Sequence, residues 1–168
     1  LLNTVSYAFF SHIKSLPESA ASKVVNPAYV GSRALQEGAT WLATNSKKES
    51  LLGTNKFCIE DTLQLCIDPK FFGVSAMTRM QLFIEGPSRS VGLGGDDETL
   101  YPAWAKERLD LSRGFADKPN AEITAKLREY GVDWFYLFKE NTTNRNWEPY
   151  GTVMYENTEV AIIKLNDE

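Results

Sequence analysis

The apolar positions along the chain change period several times, and each change marks an element. Leu1 to Leu16 carries apolar residues at 1, 2, 5, 8, 9, 13 and 16, the stripe of an amphipathic helix, with Pro17 as its stop. Residues 17–31, with Pro17, Pro27 and Gly31, read as a connector. A second helix is predicted from Ser32 as N-cap to about Asn45, with Leu35, Gly38, Ala39 and Leu42 on one face. Next comes a short strand over Lys56 to Ile59, after Gly53-Thr54-Asn55 read as a turn. Phe71 to Met80 predicts a short helix or irregular turn, and Gln81 to Glu85 a strand stopped by Gly86-Pro87.

Residues 86–98 are glycine-rich. Helices follow from near Thr99 to before Gly114, and from Asn120 as N-cap to Tyr130, with Gly131 as a left-handed cap. Val132 to Lys139 is the clearest strand. Trp134, Tyr136 and Phe138 fall on one face and Phe135 and Leu137 on the other, the pattern of a central strand covered on both sides. Thr152 to Tyr155 and Val160 to Leu165 form a hairpin, with Asn157 able to take a positive φ in the turn. The expected fold is α/β: a small mixed sheet with flanking helices and a C-terminal antiparallel hairpin. Residues 1–31 are set apart as an N-terminal helix and connector, and 32–168 as a single domain.

Composition adds bounds. The 168 residues are 43% apolar and 24% charged, with a net charge of −4. That is a globular balance, and it lacks the basic stripe a nucleic-acid surface needs. No apolar run approaches the roughly 20 residues of a membrane span. A chain opening on Leu1-Leu2 rather than Met is expected to be a piece of a longer protein.

The chemistry-bearing residues are few. His12 is the single histidine, which excludes a histidine-rich metal cage and leaves a plain helix residue as the simpler reading. Gly92-Leu93-Gly94-Gly95 fails both phosphate-loop patterns, since Asp97 stands where a third glycine would fall and no Gly-Lys-Ser/Thr follows. Asp96, Asp97 and Glu98 suit a helix N-terminus, with a hard-cation site as the lesser alternative. No metal or cofactor is expected.

Trp147 and Tyr150 sit in the polar loop 140–150 with Asn144 and Arg145, a mixture suited to a sugar ring and its hydroxyls. The plainer alternative is that Trp147 pins the loop to the body. Glu85 joins these four as a ligand candidate because it ends a strand. Asn141-Thr142-Thr143 matches a glycosylation sequon.

The order of several segments carries a resemblance. Leu35–Leu42, then Gly53-Thr54-Asn55-Lys56-Phe57-Cys58, then Phe72-Gly73-Val74-Ser75-Ala76, then Leu82-Phe83-Ile84-Glu85-Gly86 come first. Leu127-Arg128-Glu129-Tyr130-Gly131-Val132-Asp133-Trp134, then Val153-Met154-Tyr155-Glu156-Asn157 and Val160-Ala161-Ile162 complete it. Together they resemble the soluble C-terminal region of actinobacterial polytopic membrane proteins similar to lipid-linked-sugar glycosyltransferases. The resemblance spans residues 33–165 and has no short diagnostic motif. It implies an extracytoplasmic location and a membrane-embedded part of the same polypeptide as partner. It also implies an accessory role with no catalytic residue here, either binding cell-envelope glycan or stabilising the membrane body.

That location is the main ground for expecting a disulfide between Cys58 and Cys66, with Glu60-Asp61-Thr62 as the turn between them. Two separate buried thiols are the alternative. Two further functions stay open. One is a protein-interaction domain. The other is a stand-alone enzyme acting on a nucleotide or sugar, which needs a cleft at the carboxyl ends of parallel strands. Glu85 and Asp133 are the acids near strand ends, and Asp133 stands at the wrong end of its strand.

Overall fold

The computed structural model describes residues 31–47, 49–61, 66, 67, 69, 71–90 and 97–166. The helix expected over residues 1–16, His12 and the glycines of residues 92–95 lie outside them. The first described helix, α1 (Arg33–Asn45), starts where the Ser32 hydroxyl accepts the Leu35 N–H. Strand β1 (Leu51–Thr54) follows, then a two-residue ladder of β2 (Glu60–Asp61) and β3 (Cys66–Ile67), with Asp61 opposite Cys66. After it come α2 (Gly73–Thr78), β4 (Gln81–Leu82) and the single turn α3 (Pro87–Ser90). A 3-10 turn at Glu98–Leu100 leads into α4 (Ala103–Asp117) and α5 (Ala121–Glu129). The chain ends in β5 (Val132–Phe138), β6 (Gly151–Glu156) and β7 (Val160–Leu165).

Five strands form one mixed sheet in the order β4-β1-β5-β7-β6. β1 runs parallel to both β4 and β5, while β5–β7 and β7–β6 are antiparallel. The alternation of β5 sorts the core into two layers. Phe135 and Leu137 pack with Phe115 of α4, Leu127 of α5 and Ile163. Trp134, Tyr136 and Phe138 pack with Ala39 and Leu42 of α1 and Val74 of α2. Helices therefore cover both faces, which is why β5 is apolar from Trp134 to Phe138. β6 is an outer strand, and an irregularity at Met154 breaks its ladder, a feature that discourages pairing with another chain's edge.

The fold class matches the expectation, but the first strand does not. It lies at Leu51–Thr54, ahead of the predicted Lys56–Ile59. Gly53 is a strand residue and not a turn. A Cβ there would come within 2.5 Å of the Phe135 ring, so glycine lets two neighbouring strands close over a large side chain. The ladder is prolonged past Thr54 by a side chain. The Asn55 amide donates to Phe138 O (3.0 Å), and its carbonyl accepts the Phe138 N–H (2.8 Å).

The hairpin turn also differs in means. Asn157 does not take a positive φ. Its side-chain oxygen accepts the N–H groups of Glu159 and Val160, both at 3.0 Å, so the amide closes the turn.

A third apolar cluster joins Phe57, Cys58 and Ile84 to Tyr101, Ala105 and Leu109, just beyond the carboxyl ends of β1 and β4. Cys58 is buried and disulfide-bonded. The sequence holds two cysteines, and the other is Cys66. A closed loop this short restricts the unfolded chain by about 2–3 kcal/mol. Reduction should therefore lower stability by that order, read as a fall in the urea midpoint with dithiothreitol. An unchanged midpoint would show that the bond adds nothing to this cluster.

Candidate functional site

Beyond the end of β4 the chain runs through Phe83-Ile84-Glu85-Gly86 and faces the first half of α4. Between them lies a cleft of about 250 Å³, lined by Phe72, Leu82, Phe83, Ile84, Glu85, Trp104 and Arg108. It stands outside the carboxyl end of a parallel strand, the usual place for a ligand in an α/β sheet.

Two large aromatics of this lining are open to solvent. Trp104 is 45% exposed and Phe72 43%. Trp104 is held out because its neighbour Ala105 takes the inward position on α4, packed beside Ile84 and Leu109. Phe72 lies against Gly86, where φ is +49° and a Cβ would meet the ring at 2.2 Å. Any other residue at 86 would displace Phe72 and strain its own backbone.

The polar groups of the cleft are Glu85 and Arg108. Glu85 is only 7% exposed. Its Oε1 accepts the Ser75 N–H at 3.1 Å, so the carboxylate closes the first turn of α2, where no other side-chain cap exists. Burial raises its pKa, and hydrogen bonds from Ser75 and the Val74 backbone offset part of that rise. A carboxyl with a raised folded pKa favours folding below its unfolded value, and that contribution is lost as pH rises through the folded value. The Glu85 contribution should therefore grow as pH falls from neutral toward 4.5, and Glu85→Gln should remove it. Parallel stability–pH curves for wild type and Glu85→Gln would contradict this.

Arg108 is held by aromatic surface. Its guanidinium carbon lies 4.9 Å from the Phe83 ring centre and 5.5 Å from those of Trp104 and Tyr130. Nη1 donates to Phe83 O at 2.9 Å. Tyr130, 5.1 Å from Phe83 between ring centres, donates its hydroxyl to Glu107 at 3.1 Å, and that bond raises its pKa.

The loop 140–150 is built for another purpose. Trp147 is 3% exposed, its ring sits in the core with Phe115 and Leu165, and its indole N–H donates to Ala116 O at 3.2 Å. The Thr142 hydroxyl and the Asn144 amide donate to the same carbonyl, at 3.1 and 3.3 Å. Three donors thus meet one of the last carbonyls of α4, a group with no acceptor role left inside the helix. Arg145 spends its guanidinium on the carbonyls of Thr142, Asn144 and Lys139. Tyr150 packs partly buried against the same core.

The sugar-contact role read for Trp147 is thus corrected. The buried ring has no face to offer, and the residue pins the loop. Asn144, Arg145 and Tyr150 do not line the cleft that Glu85 lines. Asp133 pairs with Arg128 at 2.6 Å at the start of β5. Asp97 caps the 3-10 turn by accepting the Thr99 N–H and hydroxyl, at 2.9 and 2.6 Å, and those bonds lower its pKa. Among the described residues no group of three or more acidic, histidine or cysteine side chains forms a metal site. No described helix is long and apolar enough to cross a membrane.

Sequence reasoning missed Trp104, Phe72 and Arg108. A signal was present for two of them: Trp104 and Arg108 lie one turn apart on α4, on the face flanking Ala105 and Leu109. No protein-family model matches the chain, and no curated protein matches it in sequence.

Proposed function

We propose that this chain is a glycan-binding accessory module on the extracytoplasmic face of a membrane protein, attached to a membrane-embedded part of the same polypeptide. The observation that carries the reading is the cleft beside α4. Exposed Trp104 and Phe72 share its lining with Glu85 and Arg108. A sugar ring needs that combination: an aromatic face for its C–H groups, and fixed polar groups for its hydroxyls. The disulfide at Cys58 supports the location, since such bonds persist in oxidising compartments.

The test is calorimetric titration with a panel of cell-envelope oligosaccharides. Trp104→Ala should weaken binding about tenfold or more, roughly 1.4 kcal/mol, with the melting temperature retained. Absence of saturable binding to every oligosaccharide of the panel, or a Trp104→Ala protein that binds as wild type does, would refute the reading.

The position of the cleft at a strand's carboxyl end also favours a second reading, an enzyme acting on a sugar or nucleotide. Turnover separates the two. The binding module gives a saturable complex and no product, whereas an enzyme gives product that Glu85→Gln abolishes.

A further inference from the structure

Resting on that glycan reading, we propose that the cleft takes a sugar bearing a carboxylate, and that Arg108 recognises the carboxylate while Trp104 holds the ring. Arg108, like the exposed Arg79 and Arg89, has no ion pair among the described residues, but unlike them it lines the cleft. Arg33, Arg113 and Arg128 each pair with a carboxylate, Glu37, Glu98 and Asp133. Arg145 is spent on backbone carbonyls. Arg108 lines the cleft with one hydrogen bond, to Phe83 O, and no ion pair among the described residues.

Glu85, in the same lining, and Glu107, the residue before Arg108, are committed elsewhere. Glu85 binds the first turn of α2, and Glu107 accepts the Tyr130 hydroxyl. The result is a partly buried cation, fixed in position by three rings and a carbonyl, with N–H groups left over. A guanidinium prepared this way is suited to a planar carboxylate, which it can hold through two parallel hydrogen bonds. A guanidinium lying against an indole is also partly stripped of water, which strengthens its attraction for an anion.

Trp104 and Arg108 stand one helical turn apart, with the guanidinium 5.5 Å from the indole. A pyranose lying on the indole would bring a carboxylate on its ring into reach of the fork. The charge of that group is bounded. The chain is net negative at −4, and Glu85 lines the same cleft. A singly charged carboxylate fits that field better than a doubly charged phosphate.

The experiment titrates the intact chain with oligogalacturonate and with the same oligomer after carboxyl reduction, at low and at raised salt. The acidic oligomer should bind at least tenfold more tightly, and added salt should weaken it alone. Arg108→Gln should bring the two oligomers to equal affinity. Arg108→Lys, which keeps the charge and the stem, should retain part of the preference, and it serves if Arg108→Gln fails to fold. Trp104→Ala should weaken both oligomers alike. Equal binding of the two oligomers by wild type would overturn the role of Arg108 and leave the glycan reading standing. Binding of neither would remove the glycan reading and this inference with it.

Discussion

Trp147→Ala should destabilise the fold by about 3–5 kcal/mol and leave glycan affinity unchanged. The indole is buried among Phe115, Leu165 and their neighbours, so truncation opens a large cavity under the loop 140–150. It also removes one of the three donors to Ala116 O. The remaining two, from Thr142 and Asn144, belong to the same loop and lose their anchor as it loosens. Urea unfolding followed by circular dichroism reads the loss. A variant with wild-type stability but no glycan binding would restore Trp147 as a contact residue and sink the present assignment.

Asn55→Leu should cost about 2–4 kcal/mol. Leucine keeps the branched skeleton, though it is bulkier, and can neither donate to Phe138 O nor accept from its N–H. Both backbone groups sit at the buried end of β5, and each unsatisfied group costs about 1–3 kcal/mol. The loss should be local in its structural effect, because the β1–β5 ladder up to Thr54 and Tyr136 does not depend on that amide. Hydrogen exchange at Phe138 should therefore accelerate well before exchange at Phe135. Slow exchange at both would show that the amide bridge is not what holds this end of the ladder.

The parts of the fold legible in sequence were those where one residue type has one use. Ser32 and Asn120 cap the helices they were expected to cap. Gly131 takes its positive φ at 84°. The unbroken apolar run of β5 declared a strand buried on both faces. Errors arose where a residue has two uses. Gly53 can make a turn or admit a close neighbour, and the Phe135 ring that decides between them is 82 positions away in sequence, 135 minus 53. Asn157 can turn a hairpin by its backbone or by its amide, and the amide won.

The site was harder to read for the same reason. A tryptophan in a polar loop looks exposed, and Trp147 is buried because the loop folds back onto the end of α4. A tryptophan on an amphipathic helix looks like core, and Trp104 is exposed because Ala105 and Leu109 fill the inward positions. Glu85 was visible as a strand-end acid, but its capping of α2 depends on Ser75 folding back to it.

The most direct test of the account uses the indole N–H resonances in a ¹H–¹⁵N spectrum, assigned by single Trp→Phe variants. On titration with a bound oligosaccharide, the Trp104 signal should shift progressively and saturate with the calorimetric affinity. The Trp147 signal, hydrogen-bonded inside the fold, should stay where it is. A shift of Trp147 with Trp104 unmoved would contradict the placement of the site beside α4.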